Sequence, residues 1–302
     1  MRKSRIALEE KITAKFMDKG LKRPEFFTQG SSARDMKTII IKIDGTYDVS
    51  AETVQRYIYA AVKDHTDGGA KHKQKCIRVL YKCNYDIDFT AYYEVDGESY
   101  SYLAIKGNEW IKDDPSKLIA WLIEKKDPNG QLIRIIKYVK AWASKLNASF
   151  KMPSGIALTI WVANNFQSND ERDDQSLLST LKATKSALGS YVYCRCPVEP
   201  YDDLVSKRDD DQKKKFLQAL ENFCNDAQKA MDAKNQRDAS KLWRKHLGDR
   251  FPLGADEDVD EKEQALMVAA LSVLSKKAKL SVSGTINENS GVSHIIHRNY
   301  GE

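Results

Sequence analysis

The stretch Tyr85-Asp86-Ile87-Asp88-Phe89 alternates acidic with apolar or aromatic side chains, which is the pattern of a β-strand with one polar face. Because side chains alternate along a strand, Asp86 and Asp88 share the face opposite Ile87 and Phe89. Two carboxylates on one face repel each other and are costly to bury unless a cation accompanies them. Mg²⁺ is the natural cation, since it prefers carboxylate oxygens together with substrate phosphates. An edge strand with its acidic side chains in solvent is the alternative.

A second short motif, Gln29-Gly30-Ser31, lies in a polar loop ahead of a β-branched run. Glycine lets the backbone approach a ligand closely, and free N–H groups with a serine hydroxyl can hold a phosphate. Most Gly-Ser pairs are ordinary turns, so the motif indicates a phosphate site only in a suitable context.

Cations and a hydroxyl recur farther along the chain. Arg78 lies in a β-branched run ten residues before Asp88, where it faces either a phosphate or base, or solvent. Lys137 and Lys140 are about one turn apart in an amphipathic helix and share a face. Ser154 precedes another helix, where a hydroxyl and free N–H groups can bind an anion. A simple N-cap is the commoner role for such a serine.

The apolar pattern divides the chain into a mixed first part and an almost wholly helical second part. We predict an α+β protein with three parts: a lobe at 1–145 with a small mixed sheet and an N-terminal helix, a helical lobe at 146–280, and a flexible tail at 281–302. A substrate site commonly lies in a cleft between two lobes. The predicted helices are 4–19, 51–62, 115–125, 129–146, 154–166, 174–187, 211–233, 236–246 and 260–277, and the predicted strands are 38–43, 76–82, 85–95 and 100–105.

Composition narrows the class of protein. The 302 residues, 41% of them hydrophobic, can bury one large core or two smaller ones. The net charge of +6 falls short of the charge blocks of a dedicated nucleic-acid arm. Five cysteines at irregular spacing argue against a disulfide framework and favour a reducing cytoplasm. No apolar run reaches the ~18 residues of a membrane span.

Taken in order, the motifs resemble those of the bacterial cyclic-oligonucleotide synthases, which are relatives of cyclic-GMP-AMP synthase that act in anti-phage (CBASS) signalling. The resemblance covers roughly residues 25–255 and depends on the order of the segments, since no single one decides it. It implies a polymerase-β-like nucleotidyltransferase lobe with the active site in the cleft beside the helical lobe. The similar segments are Phe27–Ser31, Gly45–Asp48, Cys76–Val79, Asp86–Phe89, Arg134–Trp142, Met152–Gly155 and Leu247–Pro252.

This resemblance implies a role for each candidate residue. Asp48 and Asp88 would be two of three catalytic carboxylates that bind two Mg²⁺ ions, with Mn²⁺ as an alternative ion. One ion would activate the attacking ribose hydroxyl and the other would stabilise the leaving pyrophosphate.

The nucleotide-binding residues are also implied by the resemblance. The Gln29-Gly30-Ser31 loop would hold the donor triphosphate, which is that of ATP or another nucleoside triphosphate. Lys140 and Ser154 would bind its terminal phosphates, and Arg78 would face the acceptor nucleotide.

One expected carboxylate is absent. In the family, a second Asp follows the position of Asp48 by two residues, but this chain has Ser50 there, and Ser50–Thr53 resembles an N-cap that opens a helix. Asp44 is a poor substitute, because four residues of ideal strand place it ~13 Å from Asp48. Either the site is truncated, weakened or inactive, or the sequence omits a segment between Asp44 and Ala51. We favour the omission, because a catalytic strand here joins a helix cap abruptly.

The expected activity is therefore a Mg²⁺-dependent nucleotidyltransferase that makes a cyclic di- or trinucleotide messenger and releases pyrophosphate. A template-free enzyme with linear products and a catalytically inactive nucleotide- or RNA-binding protein are the alternatives. The family further implies a cytoplasmic location, a downstream effector that senses the product, and in some members regulatory partner proteins. We expect a monomer that binds neither membrane nor specific nucleic-acid sequences.

Overall fold

The computed structural model describes the greater part of the chain. The described residues are 2–29, 35–43, 49–82, 86–95, 98, 100–107, 109–169, 172–275, 277–281, 286–287 and 292, with the backbone alone at 2–3, 27–29, 35–43, 259, 262–263, 280 and 287.

Seven of the described strands form one mixed sheet. Its path is β1-β2-β5-β4-β3, and β6 joins β5 to β7. These strands are β1 (Glu25–Gln29), β2 (Asp35–Ile43), β3 (Ala70–His72), β4 (Ile77–Leu80), β5 (Asp86–Val95), β6 (Ser101–Ile105) and β7 (Glu109–Lys112).

Strand β5 lies inside this sheet and is paired along both edges. One edge pairs in parallel with β2, from Ile87 opposite Asp35 to Val95 opposite Ile43. The other edge pairs antiparallel with β4 near its start and with β6 near its end. Because neighbours cover both edges, β5 is an interior strand, and the alternative of an edge strand is wrong.

Two helices cover the apolar face of β5. In α1 (Arg2–Asp18) the buried residues are spaced by four, and in α2 (Ala51–Val62) by three and four, so each helix presents one apolar stripe. These stripes pack against the face of β5 opposite Asp88, and burial of each large side chain contributes about 1.5–3 kcal/mol. The fully buried members larger than alanine are Leu8, Ile12, Phe16, Val54, Ile58, Val62, Ile77, Val79 and Ile87.

The second half of the described chain is helical, as predicted. Its elements are α3 (Pro115–Glu124), α4 (Gln131–Leu146), α5 (Gly155–Asn164), α6 (Asp173–Leu188), α7 (Asp210–Asp232), α8 (Gln236–Leu247) and α9 (Val259–Leu274), followed by the short pair β8 (Lys279–Leu280) and β9 (Ile286–Asn287). None of the described helices is long and apolar enough to cross a membrane.

Internal contacts divide the chain into two compact units. The first comprises Met1–Gly130, Ser154–Ala163 and Tyr193–Lys207, and so contains the large sheet. The second comprises Gln131–Pro153, Asn164–Val192 and Arg208–Glu302. This division assigns α4 to the helical unit and most of α5 to the unit with the sheet. The domain boundaries at 145/146 and 280/281 remain predictions, and most of the tail lies outside the described residues.

Aromatic side chains form the centre of the second unit. Trp142 of α4 is 1% exposed, and its ring lies 5.3 Å from that of Phe223 of α7. The ring of His246, on α8, stacks on the ring of Phe223 with 4.4 Å between the ring centroids. His246 bonds to the buried Asp226 carboxylate at 2.8 Å, so these two polar groups are paired. The buried indole N–H of Trp142 has no hydrogen-bond partner among the described residues.

Candidate active site

The pairing of β4 with β5 places Arg78 directly opposite Asp88. Arg78 donates two hydrogen bonds to this carboxylate, from Nε to Oδ1 and from Nη2 to Oδ2, each 2.6 Å long. Asp88 is only 4% exposed, and an unpaired carboxylate at that depth would be strongly destabilising. The two parallel bonds to a guanidinium therefore explain how β5 keeps an acidic residue in the interior.

Asp86 completes the acidic face that the sequence pattern predicts. Its Oδ2 lies 3.5 Å from Nη1 of Arg78, so the same guanidinium serves both carboxylates. The hydrogen bond to Asp88 raises the pKa of Arg78, against the opposing effect of burial. The cation beside the paired carboxylates in this structure is thus Arg78. Its contact with an acceptor nucleotide remains a prediction.

A thiol lies next to this ion pair. Burial, and then the negative charge of Asp88, raise the pKa of Cys76 to about 11. The thiol is therefore protonated at neutral pH, and a thiolate ligand or nucleophile is not expected at this position.

The donor chemistry of the acidic face fits Mg²⁺. Asp88 and Asp86 offer hard carboxylate oxygens on one face of an interior strand. Within the described parts of the chain, no group of three or more His, Cys, Asp and Glu side chains could hold a metal ion. Asp48, the other predicted ligand, lies outside the described residues. Mg²⁺ would therefore be held here by Asp88 with Asp86 beside it.

Several other predicted residues are placed only in part. Gln29 ends β1, opposite Met36 of β2, with its backbone alone described. Gly30 and Ser31 lie outside the described residues, as does the predicted omission after Asp44. The predicted phosphate loop therefore remains a prediction.

The start of α2 confirms the predicted cap at Ser50. Its hydroxyl oxygen accepts a hydrogen bond from the Thr53 N–H at 3.2 Å and also bonds to Thr53 Oγ1 at 2.8 Å. Ser50 therefore begins a helix at the position where the family has its second Asp, and its side chain satisfies the helix end.

Lys140 is a half-buried cation on α4. Burial lowers the pKa of Lys140. Among the described residues, no hydrogen bond or ion pair engages its ammonium group. A desolvated charge without a partner is unfavourable and is stabilised by an anion. Lys137, on the same helix, is exposed, so α4 presents one solvated cation and one suited to bind a phosphate.

Ser154 caps α5. Its Oγ accepts a hydrogen bond from the Ala157 N–H at 3.2 Å, and its carbonyl accepts one from the Leu158 N–H at 3.0 Å. Ser154 therefore has the commoner role of such a serine, that of a helix N-cap. The exposed hydroxyl retains its own proton, so capping leaves one donor that can reach an anion. Lys140 and Ser154 belong to different compact units, and each is described within its own unit.

A further polar pair, between Tyr92 of β5 and Asp113 just after β7, was not predicted from the sequence. Tyr92, four residues after Asp88 on the same strand face, donates a hydrogen bond from its hydroxyl to Asp113 at 3.2 Å. Burial raises the pKa of the Asp113 carboxyl, partly opposed by Lys75. The sequence Asp113-Asp114-Pro115 is typical of the start of a helix, and it does not by itself indicate that Asp113 is buried against a tyrosine.

No protein-family model matches the chain. Among curated proteins, the cyclic AMP-AMP-AMP synthase of an Acinetobacter species is 25% identical over 233 residues, which cover 75% of this chain and 68% of that protein. The probable cyclic AMP-AMP-GMP nucleotide synthase of Salmonella paratyphi B is 26% identical over 163 residues, which cover 51% of this chain and 42% of that protein.

Solved structures share the fold. Vibrio cholerae DncV, a cyclic AMP-GMP synthase and prokaryotic cGAS homolog, superposes with a TM-score of 0.66 at 18% identity over 77% of this chain and 71% of that chain. CdnC of E. coli MS115-1, solved with ATP, gives 0.60 at 13% identity over 83% and 92%. The predicted α+β nucleotidyltransferase fold is confirmed. The chain is therefore similar in sequence to bacterial cyclic-oligonucleotide synthases and shares the fold of the DncV-like nucleotidyltransferases.

Proposed function

We propose that this nucleotidyltransferase joins nucleoside triphosphates, ATP among them, into a cyclic di- or trinucleotide and releases one pyrophosphate for each bond formed. The observation that carries the proposal is Asp88, a carboxylate 4% exposed on an interior strand of a nucleotidyltransferase sheet. Such a position has no evident value for stability, because an apolar side chain would fit an interior strand at lower cost. The presence of a carboxylate there favours a chemical role.

The proposed reaction is nucleotidyl transfer between bound nucleotides, with carboxylates holding the metal ion. In each step a ribose hydroxyl of one nucleotide attacks the α-phosphorus of the next, a new P–O bond forms, and the bond to pyrophosphate breaks. Bound Mg²⁺ would supply a lowered pKa for the attacking hydroxyl and charge stabilisation for the leaving group. Asp88 would hold the ion, and Asp48 is proposed as a further ligand. Mn²⁺ is proposed as an alternative ion.

The helical residues would hold the donor nucleotide. The half-buried ammonium of Lys140 gains a counter-ion when a triphosphate binds, so its affinity for anions has a physical cause in this chain. The free proton of the Ser154 hydroxyl would add a hydrogen bond to a terminal phosphate. Roles for Gln29, Gly30 and Ser31 at the donor triphosphate are part of the proposal, and they rest on the sequence resemblance.

The names of the curated relatives support adenine nucleotides as substrates, since both products contain at least two AMP units. The proposal extends to a cytoplasmic protein whose product is sensed by a separate effector in anti-phage defence.

Product analysis tests the proposal directly. The protein is incubated with Mg²⁺ and radiolabelled ATP, alone and with the other nucleoside triphosphates, and both pyrophosphate and nucleotide products are measured. With ATP labelled at the α-phosphate, a cyclic product resists phosphatase, because a ring has no terminal phosphate. A linear product loses its terminal phosphates, and with them the label they carry. Phosphatase-sensitive products would replace the proposal with a linear transferase.

A catalytically inactive nucleotide-binding protein is the second candidate. The observation that favours it is Ser50, whose side chain caps α2 where the family has an aspartate. ATP binding measured by calorimetry, combined with no pyrophosphate in either Mg²⁺ or Mn²⁺, would establish this candidate instead.

A further inference from the structure

The ion pair of Arg78 with Asp88 occupies the atoms that a metal ion would use. The exposed fractions of the two side chains are 13% and 6%, so the pair is shielded from solvent. Both oxygens of Asp88 accept hydrogen bonds from the guanidinium at 2.6 Å. The third nitrogen of the guanidinium lies 3.5 Å from Asp86. Three of the four carboxylate oxygens of the acidic face are therefore in contact with one cation.

Simultaneous binding of a divalent ion and the guanidinium at Asp88 is unfavourable. A metal on either carboxylate oxygen would lie about 4 Å from the guanidinium, where like charges repel strongly in a shielded site. Arginine cannot relieve this repulsion by losing its proton. Movement of the Arg78 side chain away from Asp88 would relieve this repulsion.

We propose that Arg78 is a positioning residue that holds the Asp88 carboxylate before metal binding and turns toward the nucleotide phosphates when a divalent ion takes its place. The planar fork of five N–H donors fits phosphate oxygens as well as carboxylate oxygens, so one side chain can serve both partners in turn. The inference rests on the proposed function for the assignment of Asp88 to a metal. A permanent structural pair would also weaken metal binding through its charge, but it would keep the guanidinium on Asp88 when a divalent ion binds.

Mn²⁺ binding to the nucleotide-free full chain, followed by electron paramagnetic resonance, gives the first test. Arg78→Gln removes the competing charge, and we expect it to tighten Mn²⁺ binding at least about tenfold, the scale of a hydrogen bond to a charged group. Arg78→Lys keeps a charge but not the fork, so its affinity should lie between the two. Arg56→Gln is the matched control, since it removes a 2.8 Å pair with Glu52 at a position where Arg56 is 70% exposed.

A second test uses the wild-type protein and so does not depend on the folding of a variant. The Nε–Hε signal of Arg78, assigned by triple-resonance NMR, should show the protection of a short hydrogen bond without metal. Mg²⁺ alone should shift this signal and remove its protection, and chelation should restore both.

The outcomes separate this inference from the proposed function. Equal Mn²⁺ affinities of the wild type and Arg78→Gln, or an Arg78 signal unchanged at high Mg²⁺ concentration, would overturn the inference. Tighter Mn²⁺ binding by Arg78→Gln, without pyrophosphate from any protein, would support the inference and contradict the proposed function.

Discussion

Replacing Asp88 by asparagine removes one negative charge from β5 and keeps the shape of the side chain. Asparagine offers one oxygen to Arg78, so one of the two 2.6 Å bonds can persist. The other oxygen becomes an amide that points hydrogens at the guanidinium. Arg78, whose side chain is 13% exposed, then loses its buried counter-ion and retains only Asp86 at 3.5 Å.

The size of the effect follows from these contacts. Breaking a buried pair by removing one partner costs about 3–5 kcal/mol, and a single hydrogen bond to a charged group contributes about 1.5–3 kcal/mol. Because one bond persists and Asp86 remains, we expect the free energy of unfolding of the first unit to fall by about 2–3 kcal/mol. The corresponding decrease in melting temperature is about 5–10 °C for a unit of this size. Turnover should be abolished, since the proposed metal ligand has lost its charge.

Urea unfolding and pyrophosphate release measure the two effects separately. Asp67→Asn is the control, because the Asp67 side chain is 77% exposed and its pair with Lys82 should contribute less than about 0.5 kcal/mol. Turnover of Asp88→Asn within about twofold of wild type would refute the assignment of Asp88 to the metal. An unchanged free energy of unfolding would refute the energetic account of its pair with Arg78.

Three further predictions concern single side chains. Lys140→Met should stabilise the protein, because it removes a half-buried charge, and should raise the KM for ATP at least about tenfold. Lys137→Met is the control. An unchanged KM of Lys140→Met would contradict the phosphate role. Ser50→Ala should lower the free energy of unfolding in urea by about 1 kcal/mol, because the α2 cap is lost. Ser50→Asp should retain the cap and should increase pyrophosphate release if the missing carboxylate limits turnover. Equal stability of the two variants would contradict the capping account. Burial raises the folded-state pKa of Asp113 above its unfolded value of 3.8, so its contribution to stability is present below pH 3.8 and lost as pH rises through the folded-state pKa. Asp113→Asn should therefore stabilise the protein at neutral pH and steepen the acid limb of its stability curve, because it removes a contribution that grows as pH falls. A less stable variant at pH 7 would oppose this reasoning.

Much of the fold follows from periodicity in the sequence. The helices were predictable because their apolar residues recur at helical spacing, and β5 because Asp86–Val95 combines alternation with β-branched and aromatic residues. The short strands β1, β3 and β7 escaped prediction. Sequences such as Ala70-Lys71-His72 have little strand preference of their own, and such strands form because a neighbour offers hydrogen bonds.

The candidate site could be predicted only in part, because its geometry depends on contacts between residues distant in sequence. Alternation sufficed to place Asp86 and Asp88 on one face, but not to show that β5 lies inside the sheet, since strand order is set by contacts distant in sequence. The pairing of Arg78 with Asp88 depends on the register between β4 and β5, which no local pattern states. The burial of Lys140 likewise arises from its surroundings and not from the helix that carries it.

The parallel register of β2 with β5 sets a length limit on the connection that follows β2. The two strands run in the same direction, with Met36 beside Asp88 and Ile43 beside Val95, seven residues farther along β5. At ~3.3 Å per residue, Ile43 is therefore about 23 Å from Asp88 along the strand. Five peptide units separate Ile43 from Asp48, and they span at most about 18 Å. A metal shared by Asp48 and Asp88 would therefore require most of that reach, and a residue gained or lost between Ile43 and Asp48 would change whether the two carboxylates can meet.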